Sequence, residues 1–274
     1  MGILLVMLGS FSFSCMFLLA KLMEGRANSF TLVFYRSWVQ IVISLWGVLQ
    51  NGEDPLGAPE ARGWLLVRGG FGSAAVIAFF YAIQHLPLPD AVTLQFTTPP
   101  FAAIFAVCLA GEEWMPLDMI GAVVCICGVM LIAHPSWLFG QHDNGDNDDN
   151  AMEGEESSSK AFAIGIALLG AALAGMAYMS VRLIGDRASA NVMVLYYGCM
   201  SIPMVMIGSK IFLKEWSVWG DEFFSPWDYF MLLLTGFSGY GGQYFTNLGL
   251  QRETAATVRH LFERKSLACF CAIH

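Results

Sequence analysis

The sequence predicts an all-α protein, a polytopic bundle of membrane-spanning helices. Two observations carry this. Hydrophobic residues make up 56% of the 274 residues and charged residues 13%, whereas a soluble domain carries about 25% charged residues. The apolar residues also gather into long runs of about 20, the length needed to cross a bilayer. A third observation, similarity between the two halves, predicts how the helices are arranged.

Eight apolar stretches stand out: Gly2–Met23, Phe30–Leu49, Trp64–Gln84, Ala91–Ala110, Leu117–Ala133, Ala161–Val181, Asn191–Leu213 and Trp227–Leu250. The first is not preceded by positive charge and not followed by a small-x-small cleavage site, so it reads as a retained span and not a signal peptide. Between the third and fourth stretches, Leu86-Pro87-Leu88-Pro89-Asp90 forms a tight turn, with Asp90 able to cap the next helix. Trp64 and Trp114 stand at span ends, where aromatic side chains favour the interface.

The segment 140–160 is different. From Gln141 to Lys160 it holds seven acidic residues and one Lys, a composition that cannot bury a core and reads as a solvated linker. It lacks the spacing of an EF-hand loop. The net charge of −8 reports that segment. No basic cluster suggests a nucleic-acid partner. Five of the seven cysteines lie in apolar runs, where they act as packing residues. No cofactor or metal site is expected.

The halves match at a shift of 161 residues: Gly9 meets Gly170, Phe17 meets Tyr178, Arg26-Ala27 meets Arg187-Ala188, and Tyr35 meets Tyr196. At a shift of 167, Gly69 meets Gly236 and Ile83-Gln84 meets Leu250-Gln251. A first half of five spans makes the second enter the membrane from the opposite side. The expected organisation is a first repeat over 1–139, a linker over 140–160, an incomplete second repeat over 161–257, and an aberrant charged tail over 258–274. Such inverted repeats recur among secondary transporters.

Polar groups within spans are costly and mark function or helix contacts. Tyr240, Gln243, Tyr244 and Asn247 fall at i, i+3, i+4 and i+7, on one face of the eighth stretch. Pro99 and Pro100 interrupt the fourth stretch beside Gln95, Thr97 and Thr98, which predicts a carbonyl near Gln95–Phe96 freed for a ligand or water. Tyr178 offers a ring and a hydroxyl. Arg36 lies inside its span and requires a carboxylate, a cavity or the interface. Arg68, near a span start, reads as snorkelling to the headgroups. Candidate substrate-binding residues are therefore Tyr240, Gln243, Tyr244, Asn247, Gln95, Thr98, Tyr178 and Arg36. No nucleophile elbow, HExxH or Walker sequence suggests an enzyme.

The block from Arg68 to Ala133 resembles the EamA-type transporters of the drug/metabolite transporter superfamily. The stretch Tyr81–Ala91 looks like that family's link between its third and fourth helices. Pro99-Pro100, Glu112 or Glu113, Gly121 and Gly128 match its later landmarks, and Tyr35-Arg36 resembles its aromatic–Arg pair. Leu250–Thr257 is similar to the solute carrier 35 subfamily G group. The resemblance implies a ten-helix fold with both termini cytoplasmic, of which about eight spans are present, and export or exchange of small organic solutes. The pattern departs after about Val258, as expected for a chain truncated at its C-terminus. The alternative is a non-transporting truncated membrane protein that pairs with a partner or a second copy.

Overall fold

The computed structural model describes residues 2–110, 150–212 and 225–271, with isolated positions between 120 and 131. Side chains are described up to Arg252, apart from those of 88, 89, 110, 150–159, 211 and 212. The expected fifth span Leu117–Ala133 and the linker residues 140–149 lie outside the described residues.

The described chain is helical. It comprises α1 (Gly2–Leu22), α2 (Ser29–Gln50), α3 (Arg62–His85), α4 (Leu88–Gln95), α5 (Thr98–Ala110), α6 (Asn150–Ile184), one 3₁₀ turn (Gly185–Arg187), α7 (Ala190–Phe212) and α8 (Pro226–Cys271). Six stretches are long and apolar enough to cross a membrane: α1, α2, α3, residues 90–109 across α4 and α5, residues 160–187, and residues 190–210. Their outer faces carry exposed Ile3, Leu4, Phe11, Trp46 and Ile207. Buried Arg36, Gln40, Arg68, Gln243 and Asn247 lie inside. Apolar outside and polar inside is the distribution that lipid favours and water opposes. The protein is a multi-pass integral membrane protein.

Three expectations meet different outcomes in the backbone. The eighth stretch is helical, yet it is not among the six apolar ones, because Gly, Gln and Asn on α8 turn inward and dilute its apolarity. Helix α6 begins at Asn150, so half of the expected linker is helical. Glu and Ala there are adequate helix formers, and acids suit a helix N-terminus. Helix α8 continues to Cys271 through the expected tail.

Local chemistry sets the boundaries. Asn28 caps α2, its Oδ1 accepting from Thr31 N at 2.8 Å. The chain breaks at Phe96–Thr97 between α4 and α5. Pro99 and Pro100 thereby fall in the first turn of α5, where a missing N–H costs nothing. The expected free carbonyl is not found at Gln95, because Thr98 Oγ1 donates to Gln95 O at 2.7 Å. Leu94 O is likewise occupied, by Thr97 Oγ1 at 2.6 Å. Short polar side chains at a helix start satisfy the backbone in this way.

Packing follows a crossed scheme: α1 lies against α8, α2 against α7, and α3 against α6. Each pair is antiparallel. On α1, Val6, Gly9 and Phe13 meet Gly249, Thr246 and Gly242 of α8 in that order. Gly198 of α7 meets Ser37 and Ile41 of α2, and Gly208 meets Phe30. Gly170 of α6 meets Ala75 and Ala78 of α3, and Phe162 meets Tyr81. Since α1, α2 and α3 alternate in direction, α6, α7 and α8 each run opposite to their first-half counterparts.

Contacts repeat at the aligned positions. Gln84 Nε2 donates to Ala27 O at 3.0 Å, and Gln251 Nε2 donates to Ala188 O at 2.8 Å. Gly9 packs on Gly242 and Thr246, while Gly170 packs on Ala75 and Phe79, the same relation at shifts of 161 and 167. Gly69 packs on Met200, and Gly236 packs on Val39.

Candidate functional site: a buried arginine centre between the halves

Four helices supply the centre. On α2, Arg36, Ser37, Gln40 and Ser44 form one inward face at helical spacing, all buried. On α3, the buried stripe Leu65, Arg68, Gly69, Gly72 and Ser73 keeps to i, i+3, i+4, i+7 and i+8. Tyr197 and Ser201 project from α7, and Gln243 and Asn247 from α8; all four are buried.

Tyr197 is the hub. Arg36 Nη2 donates to its hydroxyl. The Arg36 Cζ lies 5.2 Å from the centre of the Tyr197 ring, and Arg68 Cζ lies 5.7 Å from the same centre. Arg36 also stands 5.7 Å from the Phe80 ring, with Nη1 3.3 Å from Met16 Sδ. Arg68 Nη2 donates to Gln243 Oε1 at 2.5 Å and to Asn247 Oδ1 at 3.2 Å. Below these, Ser73 Oγ and Ser201 Oγ share a hydrogen bond of 2.8 Å. Glycines let these side chains pack closely. A Cβ on Gly239 would lie 3.0 Å from Arg36 Cδ and 3.1 Å from Gln40 Nε2. On Gly72 it would lie 3.1 Å from Tyr197 Cδ2.

The electrostatics are one-sided. Both guanidiniums are fully buried, and among the described residues no carboxylate pairs with either. The ion pairs described lie at helix ends: Lys21–Glu24, Arg26–Asp228 and Arg62–Asp54. A lone arginine at mid-membrane costs about 2.5–3.5 kcal/mol on insertion scales. Cation–π contacts and neutral acceptors offset part of that cost, but neither supplies negative charge.

Both ends of the centre are closed. At one end, Arg26 Nη1 meets Asp228 Oδ1 at 2.8 Å, and Lys21 Nζ donates to Ile83 O at 3.1 Å. At the other, Ser189 Oγ donates to Glu53 Oε2, and Tyr196 OH donates to Leu56 O at 3.0 Å. A cavity of about 430 Å³ opens to the outside at this second end, lined by Glu53, Asp54, Asp186, Arg187 and Ser189. Its lining includes neither Arg36 nor Arg68.

The structure brings together Arg36, Gln243 and Asn247 of the sequence candidates. Tyr178 lies within electrostatic reach of Arg68 and Tyr197. Tyr240 is half-buried and donates to Asn191 Oδ1 at 2.7 Å, and Tyr244 stacks on it at 5.7 Å; this pair has its own partners. Gln95 is half-buried, with Oε1 unpartnered, and the Thr98 hydroxyl is spent on the backbone; no hydrogen bond joins either to the arginines. Arg68 corrects the sequence reading. It does not snorkel but is 2% exposed, because the small residues on its own face let α6, α7 and α8 close over it. That small-residue face was the available signal. Tyr197 and Gln40 were also missed, and Gln40 shared a visible i, i+4 face with Arg36.

Comparison with known proteins fits this arrangement. Residues 1–134 match the EamA-like transporter family. Over 268 residues the chain is 26% identical to a probable transport protein of Saccharomyces cerevisiae, covering 93% of this chain and 75% of that one. It is 29% identical over 261 residues to solute carrier family 35 member G1 of Mus musculus, with 94% and 67% covered. It is 26% identical over 265 residues to the pseudopaline exporter CntI of Pseudomonas aeruginosa, with 94% and 81% covered. A solved crystal structure superposes with a TM-score of 0.59 at 16% identity, covering 92% of this chain and 78% of that one, which shows a shared fold. The chain is a multi-pass membrane transporter whose residues 1–134 match the EamA-like transporter family and which is similar over most of its length to a solute carrier 35 subfamily G protein.

Proposed function

We propose that this chain moves small organic solutes by alternating access between two inverted repeats, 1–139 and 161–257, with the centre around Arg36, Arg68, Tyr197, Gln243 and Asn247 as the solute site. One observation carries the reading: a polar, charged centre lined by glycines sits between the halves, and separate ties hold it at each end. Breaking the Arg26–Asp228 end or the Glu53–Ser189 end exposes the same centre to opposite sides of the membrane. The crossed packing supports this, since equivalent helices of opposite direction make equivalent interfaces at both ends.

Flux into proteoliposomes tests it, using a panel of radiolabelled organic acids, amines and neutral sugars. Gln243→Ala or Asn247→Ala removes an acceptor from a buried guanidinium. That loss is worth about 1.5–3 kcal/mol, so flux should fall about tenfold or more. Cys199→Ala, at an exposed thiol, should leave it unchanged. No flux above protein-free vesicles for any member of the panel overturns the reading, as does equal flux by all three variants.

A further inference from the structure

We infer that the centre takes a small divalent organic anion, a short dicarboxylate, with one carboxylate at each arginine and the chain between them lying along Tyr197; its assignment as the solute site rests on the transport reading above. Three observations converge. First, two full positive charges are buried and no described carboxylate neutralises them. Second, the unpartnered atoms are mostly donors. Arg36 Nε, Arg68 Nε, Gln40 Nε2 and Asn247 Nδ2 are buried without acceptors, against one unpartnered acceptor in the centre, Gln40 Oε1. A buried donor without an acceptor costs about 1–3 kcal/mol. Four together describe a site short of oxygen atoms as well as of negative charge. A dicarboxylate supplies both.

Third, the two guanidiniums share one aromatic platform, at 5.2 and 5.7 Å from the Tyr197 ring centre. Each presents a planar fork that matches a carboxylate. Gln243 and Asn247 place two neutral carbonyl oxygens on one nitrogen of Arg68 and leave its Nε without an acceptor. They act as neutral stand-ins that keep Arg68 solvated until the anion arrives. Both charges come from the first half, on α2 and α3, and the amides on Arg68 come from α8. The ligand therefore pairs with charges of the first half and meets the second half through the Asn247 Nδ2 donor and the Tyr197 ring.

The test is thermal unfolding of the full-length purified chain in detergent, followed by intrinsic fluorescence at constant ionic strength. The probes are sodium succinate, sodium butyrate, succinamide, sodium phosphate and sodium chloride. Succinate should raise Tm in a saturable way, at concentrations at least tenfold lower than butyrate, and succinamide should do nothing. Arg68→Gln should unfold at the same or a higher temperature without ligand, because it removes an uncompensated charge, and should lose the succinate response. Arg36→Lys keeps charge but not the fork, and should need at least tenfold more succinate. Three results would overturn the proposal: equal stabilisation by succinamide and succinate, equal stabilisation by chloride or phosphate, or an Arg68→Gln variant that unfolds earlier and still responds to succinate. Stabilisation by succinate without flux of any member of the panel in vesicles would sustain the anion site and defeat the transport reading. Flux of neutral solutes only, without stabilisation by succinate, would do the reverse.

Discussion

At the scale of single residues, the centre depends on how closely helices approach. Gly69 packs its bare Cα against α7, and a Cβ there would lie 2.9 Å from the carbonyl oxygen of Tyr196. That oxygen belongs to a rigid helix and cannot swing aside. Gly69→Ala should therefore destabilise the protein by about 1–3 kcal/mol, the usual cost of overpacking. Gly70, one residue on, faces open space. Gly70→Ala should be neutral or gain up to about 1 kcal/mol from helix propensity. Thermal unfolding of the two variants side by side checks the pair, and similar shifts would show that α3 and α7 are not in tight contact. The sequence tells the two glycines apart only through the repeat, where Gly69 meets Gly236. Arg68 carried no such match. Its distance from the span end was legible, but its rotation about α3 was not, and rotation decides between headgroup and interior.

At the scale of elements, two glutamines do equivalent work. Gln84 at the end of α3 accepts from Ser29 N at 3.1 Å and Ser29 Oγ at 2.6 Å, and it donates to Ala27 O. Gln251 on α8 donates to Gly185 O at 2.6 Å and to Ala188 O. Each ties the turn before a second helix to the end of a third. Gln84→Ala and Gln251→Ala should each cost about 1–3 kcal/mol, since buried backbone carbonyls lose their donors. The two sites lie at opposite ends of the bundle, so the double variant should show the sum; a clear deviation in chemical or thermal unfolding would mean that the ends are coupled. The sequence alignment found both glutamines as a matched pair. It found the pairs Gly9–Gly170 and Gly69–Gly236 as well. These were legible because a helix interface restricts residue size at fixed positions. The polarity of α8 was misleading as a measure of membrane depth and informative as a measure of what it encloses. The chain between α4 and α5 shows a further limit. Its prolines marked the interruption, but whether a freed carbonyl stays free depends on which way two threonine hydroxyls turn.

At the scale of the whole molecule, the two ends should respond separately. Arg26 is more than half exposed, so its pair with Asp228 is worth no more than about 1 kcal/mol. That suits a contact made and broken in each cycle. Take Gln40→Cys, in a background without native cysteines, as a reporter for a membrane-impermeant maleimide applied from one side or the other. Adding Arg26→Ala should raise labelling about two- to five-fold from the side of the α1–α2 turn, the effect of a 0.5–1 kcal/mol bias. Adding Ser189→Ala should raise it from the opposite side. An increase from both sides with either variant would mean that the bundle loosens as a whole and does not open at one end. The helical class and the antiparallel order of the halves were readable from composition and repeat. Arg36, Gln243 and Asn247 were readable as polar positions within spans, but their meeting was not, since four helices contribute to the centre, from Arg36 on α2 to Asn247 on α8.

Arg36 and Tyr197 stand 161 residues apart, at the same position in the two halves, and they touch. When equivalent residues of two inverted copies meet, they meet on the axis that exchanges the copies. Two identical copies would place either two arginines or two tyrosines at that point. Two arginines there would face each other at contact distance with little water to screen them, a repulsion of several kcal/mol even at an effective dielectric near 20. A pair of separate, identical five-helix subunits could therefore not have carried this arginine. The charge became tolerable once the copies were free to differ, with tyrosine as the partner whose hydroxyl accepts a hydrogen bond from it and whose ring shields it. Joining the halves in one chain thus permitted a one-sided charge that a symmetric dimer forbids.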